Sequence, residues 1–352
     1  LGHMYEAAVA YYQATGKREL LDISIKSADL VDRDFGWDAF VSYPGHQVIE
    51  MGLVKLYRVT GERRYLDLAR FFLDARGARE DGDEYAQSHM KVVDQTEAVG
   101  HSVRATYMYS GMADVASILK DEAYVNAITK IWEDLVHRKM YITGGIGASG
   151  GNEGFAEPYH LPNMTAYCET CASIGSIFFN HRMFSMHGEG KYFDILEKTL
   201  YNGALSGVNL AGDRFFYPNP LESDGRHSRS AWFGCACCPS NICRFIPAIP
   251  GYIYSVTDND LYVNLFASNE ASVSFGRNDV KVTQETLYPW DGKVTMTVSP
   301  DKGGNFALHI RIPGWARNEA MPGGLYEFAD SVAESYSLLV NGEVPETRVS
   351  DG

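Results

Sequence analysis

The stretch VTGERRYLD at residues 59–67 occurs in this chain three times, with small changes. ATGKRELLD stands at residues 14–22 and MHGEGKYFD at residues 186–194. Each copy follows a segment with the apolar period of a helix, and glycine at such a point is typical of a helix end. The apolar residues after the glycine start a second helical period. The repeat therefore predicts helical hairpins with a period of roughly 45 to 55 residues.

A second repeat lies where the helical periods begin. The Gly-His pairs are Gly2-His3, Gly45-His46 and Gly100-His101. Repeated helical hairpins of this length form either an open solenoid or a closed toroid. A toroid would bring the three histidines to one mouth, whereas a solenoid would spread them along a surface.

The composition argues against two classes of partner. The formal net charge of the 352 residues is -14, whereas nucleic-acid binding needs clustered Lys and Arg. No apolar run approaches the roughly 20 residues of a membrane span. The 22 Tyr, 17 Phe and 5 Trp would suit a sugar-binding cleft, although core packing accounts for most of them. We therefore expect neither nucleic acid nor a membrane as a partner.

The pattern changes from helical to alternating after about Tyr252. The alternating segments are residues 261–275, 279–300 and 306–317. They are rich in β-branched residues and bounded by Asn, Asp, Gly and Pro, as strands are. We expect a helical catalytic domain over residues 1–251 and a truncated β-sandwich with a structural role over residues 252–352.

Both ends of the chain lie inside predicted elements. Residue 1 stands within a helical period, and the alternating segment SYSLLV at residues 335–340 leads into an Asn341-Gly342 turn. The second strand of that hairpin barely fits before residue 352. We expect an internal piece of a longer protein, and the sequence leaves both cytoplasm and periplasm open as its compartment.

Four of the six cysteines lie within nine residues, in FGCACCPSNICRF at residues 233–245. Cys235, Cys237 and Cys238 are too close in sequence to form comfortable disulfides with one another. Free cysteine is often buried, so core packing is one interpretation of these thiols. Metal binding is the other, and it needs further ligands.

Further ligands stand where another helix is predicted to begin. Glu169 and Cys171, with Cys237 and Cys238, would supply one oxygen and three sulfurs, a tetrahedral set that suits Zn²⁺. The spacing is not that of a zinc finger, so the residues alone leave metal binding and core packing equally open. Four protein ligands are typical of structural zinc. Zinc also keeps a thiol deprotonated, so an activated cysteine is the alternative.

A long glycine-rich segment, YITGGIGASGGNEGFAEPYHLPN, occupies residues 141–163. It has no Gly-Lys-Ser/Thr and no preceding strand, which argues against a phosphate-binding loop. It carries Glu153 and Glu157. A carboxyl group in a loop is usually only solvated, but beside an activated thiolate either one becomes a candidate general acid/base.

Several of these stretches together resemble one family. They are TGGIG, NEGF, YHLPNMTAYCETCASIG, FFYPNPLES, WFGCACCPSN and RIPGWAR. They resemble the zinc- and cysteine-dependent β-L-arabinofuranosidases of glycoside hydrolase families 127 and 146, from residue 2 to about residue 342. The resemblance implies a mainly α chain, an (α/α)₆ barrel followed by a β-sandwich. It also implies that the early barrel helices and part of the sugar site are missing at the N-terminus.

The resemblance implies a role for each candidate site residue. The zinc ligands are Glu169, Cys171, Cys237 and Cys238, and Cys237 is also the nucleophile. The sugar-binding residues are His3, His46, His101 and Tyr217. Glu153 matches the acid/base, but Asn152 stands where the family often has glycine, so Glu157 remains the alternative.

We therefore expect a retaining glycosidase that uses Zn²⁺ and releases terminal β-L-arabinofuranose from an arabinose-containing plant glycan or glycopeptide. The Cys237 thiolate attacks the anomeric carbon, while Glu153 protonates the departing oxygen and then activates water. The alternatives are a hydrolase for another L-sugar or a branched acidic sugar, and a noncatalytic zinc-stapled glycan-binding scaffold. An epimerase with paired histidines ranks lower, because it gives the cysteines no role. The oligomeric state stays open, with a homodimer as one option.

Overall fold

The computed structural model describes residues 1–79, 81–302, 304–330 and 336–349. Within these ranges the helices form four consecutive hairpins and one further helix. In chain order they are α1 Gly2–Thr15, α2 Glu19–Asp34, α3 Ile49–Thr60, α4 Arg63–Ala75, α5 Ser102–Leu119, α6 Glu122–Arg138, α7 Thr170–His187, α8 Gly190–Thr199 and α9 Cys237–Phe245. None of these described helices combines the length and the apolarity needed to cross a membrane.

The predicted glycine turns are confirmed. Gly16, Gly61 and Gly188 end α1, α3 and α7 with φ of 72°, 75° and 73°, in the left-handed region that favours glycine. No glycine marks the turn of the hairpin α5–α6. There Lys120 takes the left-handed conformation at φ 57°, which costs a non-glycine residue roughly 1 kcal/mol.

The odd-numbered helices pack side by side in chain order: α1 on α3, α3 on α5, α5 on α7 and α7 on α9. Each even-numbered helix packs against its hairpin partner. A side chain at Gly175 would overlap Oγ1 of Thr106, so glycine is what allows α5 and α7 to approach so closely. This arrangement places the N-terminal ends of the odd-numbered helices at one end of the layer.

The strands of the described residues follow Tyr252 and form two small sheets. They are β1 Tyr254–Val256, β2 Asp260–Val263, β3 Asn269–Phe275, β4 Asn278–Thr286, β5 Val294–Pro300 and β6 Ala307–Ile310. One sheet has the order β1-β2-β6, with β2 and β6 parallel, and the other is the antiparallel meander β3-β4-β5. Leu261 of the first sheet joins Phe275, Val280 and Val282 of the second in one apolar cluster.

The predicted Asn341-Gly342 turn is confirmed. Both residues have positive φ, 53° and 85°, and Val340 and Glu343 exchange backbone hydrogen bonds of 2.8 and 3.1 Å. This is the geometry that a two-residue hairpin turn requires. The strand expected before the turn is not found in residues 336–339, and residues 335 and 350–352 lie outside the described ranges.

A buried arginine connects the helical and β parts. Arg311, which follows β6, donates hydrogen bonds of 2.6 Å to Asp194 and 2.6 Å to Glu197, both on α8. All three side chains are almost fully buried. The β region is therefore fixed to the back of the α7–α8 hairpin, whose other helix begins at the candidate site.

Candidate active site

A cavity of about 1190 Å³ runs along the odd-numbered helices, from His3, His46 and His101 at their N-terminal ends to Arg58, Ser117 and Ser185 near their C-terminal ends. Eight of the residues predicted for the site line it: His3, His46, His101, Glu153, Glu169, Cys171, Tyr217 and Cys237. Cys238 lies directly behind them and is fully buried. Glu157 is exposed in the glycine-rich loop and does not line the cavity.

Three thiols and one carboxyl group meet at this N-terminal end of the cavity, because α7 and α9 both begin there. Sγ of Cys238 lies 3.5 Å from Sγ of Cys171 and 3.8 Å from Sγ of Cys237. Oε1 of Glu169 lies 3.4 Å from Sγ of Cys237 and 3.6 Å from Sγ of Cys238. All four donor atoms lie within 4.8 Å of one another.

These distances fit a tetrahedral metal ion. Zn–S bonds of roughly 2.3 Å place the sulfur ligands of such an ion roughly 3.8 Å apart. Oε2 of Glu169 is buried without a hydrogen-bond partner, and no Lys or Arg of the described residues forms an ion pair with the four groups. Burial, together with the charge on Cys237, raises the pKa of Glu169 to about 9. A bound cation would offset the unfavourable burial of several acidic groups beside one another. The residues therefore fit a thiophilic dication.

Cys237 differs from the other two thiols in its exposure. It is half-buried and lines the cavity, whereas Cys238 has no exposed surface. Hydrogen bonds from the Cys171 and Cys238 thiols hold the pKa of Cys237 well below its usual range. Its sulfur also lies 3.1 Å from the hydroxyl oxygen of Tyr217. Cys237 is therefore the accessible sulfur of the cluster, and its lowered pKa favours the thiolate form.

The carboxyl group of Glu153 enters the same cavity from the glycine-rich loop. Its backbone has φ 50°, an uncommon conformation for a residue with a side chain. Ser102 holds that conformation, since its backbone N–H and its hydroxyl donate to the Glu153 carbonyl at 3.1 and 3.0 Å. The strained backbone thus aims the side chain inward.

Two donors hold the carboxylate oxygens of Glu153. The hydroxyl group of Tyr167 donates to Oε1 at 2.8 Å, and Nε2 of His101 lies 3.1 Å from Oε2. Nδ1 of His101 accepts from the backbone N–H groups of Val103 and Arg104 at the start of α5, so its proton is on Nε2. Burial lowers the pKa of His101, which keeps the ring neutral.

The three predicted histidines converge around Tyr107. The rings of His46 and His101 are 6.0 Å apart, and Tyr107 lies 5.9 Å from His46 and 6.2 Å from His3. His3 is exposed at the rim, whereas burial lowers the pKa of His46 to about 4. This is the single mouth that the toroid interpretation expects.

A family model decides the classification of this site. The model of the beta-L-arabinofuranosidase GH127 catalytic domain matches residues 1–251, which include the four-residue Glu169 and cysteine cluster, Glu153 and the three histidines. The chain belongs to glycoside hydrolase family 127. The model of the middle domain of the same family matches residues 260–352.

Individual members of the family agree with this assignment. A non-reducing end beta-L-arabinofuranosidase of Bifidobacterium longum subsp. longum is 38% identical over 100% of this chain and 56% of its own length. A solved GH127 beta-arabinofuranosidase superposes with a TM-score of 0.96 at 54% identity, over 100% of this chain and 56% of the other. A GH127 beta-L-arabinofuranosidase from Geobacillus stearothermophilus T6 has a TM-score of 0.86 at 45% identity, over 89% of this chain and 55% of the other. The chain thus spans about half the length of these GH127 relatives.

Three polar residues of this GH127 site were not predicted from the sequence. Tyr167 binds Glu153, and Tyr107 accepts hydrogen bonds from Asn241 at 2.9 Å and Arg244 at 3.1 Å. Arg244 also pairs with Glu6 on α1. The one available signal was the position of Tyr167, two residues before Glu169. Tyr107 and Arg244 lie within helical periods and look like ordinary helix residues.

Proposed function

We propose that the protein to which this chain belongs is a retaining β-L-arabinofuranosidase that removes terminal units from arabinose-containing plant glycans or glycopeptides. The observation that carries the proposal is the placement of the half-buried Cys237 thiol and the Glu153 carboxyl group in one cavity. Glu169 lies beside both, since its carboxylate is within 4.8 Å of the Glu153 carboxylate and 3.4 Å from Cys237. The names of the GH127 relatives supply the sugar.

Zn²⁺ is the proposed cofactor, held by Glu169, Cys171, Cys237 and Cys238. When bound, it would keep its thiol ligands deprotonated at neutral pH. The donor spacing and the lack of a paired cation among the described side chains support this choice. Because it is half-buried and lines the cavity, Cys237 is then the zinc ligand whose thiolate can act as the nucleophile.

The proposed reaction is a double displacement with sulfur in place of the second carboxylate. The Cys237 sulfur forms a bond to the anomeric carbon as the glycosidic C–O bond breaks, and Glu153 transfers its proton to the departing oxygen. Glu153 then takes a proton from a water molecule, whose oxygen replaces the sulfur on the same carbon. Two inversions give net retention. The hydrogen bonds from Tyr167 and His101 suit the carboxylate form that the second step needs.

The remaining site residues would hold the sugar. His3, His46 and His101 surround the cavity mouth, and the Tyr217 hydroxyl lies beside the sulfur, where a furanose hydroxyl group would sit during attack. The ring nitrogens of an imidazole can donate to or accept from a hydroxyl group. In His46, Nδ1 lies 2.8 Å from the carbonyl oxygen of Gln47, which leaves Nε2 for the sugar, whereas both nitrogens of His101 are already bound, so His101 would contact the sugar through its ring. The acid/base assignment favours Glu153 over Glu157 on position in the cavity.

The proposal extends to the architecture. The side-by-side order of the odd-numbered helices supports an (α/α)₆ barrel, in which the described residues provide four hairpins and α9. The remaining helices would come from parts of the protein outside this chain, since the GH127 relatives are nearly twice as long. The boundary is placed at residues 251/252, with a β-sandwich beyond it, in line with family models that match residues 1–251 and 260–352. A homodimer remains a prediction.

The test is hydrolysis of an aryl β-L-arabinofuranoside by the full-length protein and by its Cys237→Ser variant, with the zinc content of each recorded. Cys243→Ser is the matched control, because Cys243 is an exposed cysteine on the same helix. We expect the Cys237 variant to lose about a thousandfold or more in kcat and the Cys243 variant to match the wild type.

Two results would contradict the proposal. Turnover that survives in a folded Cys237→Ser protein would leave Cys237 as a structural ligand. An inactive wild type would favour the alternative of a hydrolase for another L-sugar or a branched acidic sugar. If the protein binds zinc but hydrolyses none of these substrates, the noncatalytic zinc-stapled scaffold is the better description.

A further inference from the structure

A second cavity lies where the helical and β parts meet, and it shares no lining residue with the candidate active site. Its volume is about 270 Å³, below the roughly 300–1,000 Å³ of sites for drug-sized ligands. That volume is sufficient for one monosaccharide. We define this junction pocket by Lys198, Tyr201, Asn202, Tyr288, Trp315 and Glu319.

Two aromatic rings of the junction pocket are held by their polar edges. The hydroxyl group of Tyr288 donates to Oε1 of Glu197 at 2.9 Å, and Nε1 of Trp315 donates to that hydroxyl at 3.2 Å. The ring planes are inclined by only 31°, with centroids 6.2 Å apart. Trp315 remains 42% exposed. Because the polar edges are satisfied within the protein, the apolar faces remain to contact a ligand.

The charges of the pocket balance. The pocket is lined by three carboxylates and one cation, and two further cations pair with these carboxylates. They are Asp194, Glu197 and Glu319, with Lys198 in the lining and Arg311 and Arg317 behind it. Arg311 is occupied by the two carboxylates of α8, and Arg317 lies 3.4 Å from Glu319. The Lys198 ammonium group forms no ion pair with any described residue. Half-burial lowers the pKa of Lys198, yet its donors still lack a fixed partner.

Flat apolar ring faces beside a lysine donor and a carboxylate acceptor match a neutral sugar, which has one apolar C–H face and a rim of hydroxyl groups. A charged ligand fits less well, because the pocket has no net charge. Asn202 adds a side-chain oxygen, since its Nδ2 is already bound to the carbonyl of Lys198 at 3.0 Å.

We propose that the junction pocket binds a neutral monosaccharide unit of a glycan, at a position separate from the bond that is cleaved. Such an anchor holds a chain on the enzyme between successive removals of terminal units. The choice of a pentose as the bound unit rests on the proposed function; the binding itself does not.

The experiment titrates the full-length protein with a linear α-L-arabino-oligosaccharide, a neutral pentose chain that lacks the β-linkage of the proposed reaction. Binding is followed by calorimetry. We expect Trp315→Ala and Lys198→Met each to weaken binding by at least about fivefold. The control is Trp290→Ala, because Trp290 is 92% exposed and does not line the pocket. Lys198→Met keeps the apolar stem, so it tests the pocket even if the tryptophan variant folds poorly.

Hydrolysis of the aryl glycoside is measured in the same preparations. Weakened binding with unchanged hydrolysis in the two pocket variants supports the junction pocket. Equal binding by the wild type and both variants overturns it, as does a wild type that binds no oligosaccharide. Absent hydrolysis with intact, pocket-dependent binding rejects only the proposed function.

Discussion

The carboxylate of Glu153 depends on donors from two different segments, and the Tyr167 hydroxyl can be removed by a single-atom change. In Tyr167→Phe the ring can still pack on Tyr217, at a centroid distance of 6.2 Å, while Oε1 of Glu153 loses its donor. A hydrogen bond to a charged group contributes about 1.5–3 kcal/mol, so we expect kcat to fall by roughly 10- to 100-fold. KM should change much less, and the fall should be largest for aryl glycosides whose second step limits turnover.

Tyr141→Phe is the control for this prediction. It removes a hydroxyl group that donates to the carbonyl of Pro162 at 3.1 Å, on a buried tyrosine outside the cavity lining. If both variants lose activity to the same extent, Tyr167 has only a structural effect. An unchanged kcat in Tyr167→Phe would mean that His101 alone orients the carboxylate.

Residue type alone explains why some site residues were predicted and others were not. Three cysteines and a glutamate form an uncommon set, which made a metal site one of two interpretations of these residues. Tyr107 and Arg244 carry no such information, because their roles arise only when α5 and α9 pack near α1. As carboxyl groups of one loop, Glu153 and Glu157 are equivalent in sequence, and they are separated by the tertiary contacts of Glu153 with Ser102, Tyr167 and His101.

At the scale of elements, His181 shows what burial on α7 does to a titratable group. Its ring packs on Tyr252 at a centroid distance of 4.7 Å. Burial, with smaller contributions from Arg182 and Arg58, lowers its pKa to about 4. The unfolded chain takes up this proton near pH 6.5, whereas the fold resists it down to about pH 4. This contribution to stability is therefore complete above pH 6.5 and is lost as the pH falls toward 4.

We expect His181→Phe to flatten the pH dependence of stability. The free energy of unfolding of the wild type should fall relative to the variant between pH 6.5 and 4, by at most about 3 kcal/mol. Urea unfolding at several pH values measures this, and the comparison cancels groups that both proteins share. His227→Phe, at an exposed histidine stacked on Phe216, should run parallel to the wild type. Parallel curves for His181→Phe and the wild type would contradict the prediction.

The elements were predictable to the extent that their signals are local. A glycine that directly follows a helical apolar period indicates a helix end, which is why Gly16, Gly61 and Gly188 revealed three hairpins. The fourth hairpin could not be predicted in this way, because its left-handed turn residue is Lys120, and lysine rarely takes this conformation. The strands after Tyr252 follow from alternation, but their division into two sheets depends on pairing between distant segments.

The whole molecule is held together at contacts that no local pattern reveals. The segment RIPGWAR belongs to an alternating stretch and to the family resemblance, but neither signal indicates that Arg311 within it joins the β region to α8. The same contact supports the wall of the junction pocket, since Glu197 also accepts from Tyr288. The partners Asp194 and Glu197 lie more than one hundred residues away in sequence. Their charges look like an ordinary helix surface until the β region covers them.

Arg311→Met tests this connection. The substitution keeps the apolar stem but leaves Asp194 and Glu197 buried without their main cation, and such a broken pair costs about 3–5 kcal/mol. We expect a loss of that size in the free energy of unfolding, measured by denaturant titration. Adding Asp194→Asn and Glu197→Gln to the variant should recover most of the loss, because the buried charges disappear with their partner. Arg226→Met, at an exposed pair with Asp224, should leave stability unchanged. If Arg311→Met behaves like Arg226→Met, contacts other than the Arg311 ion pairs hold the β region on the helices.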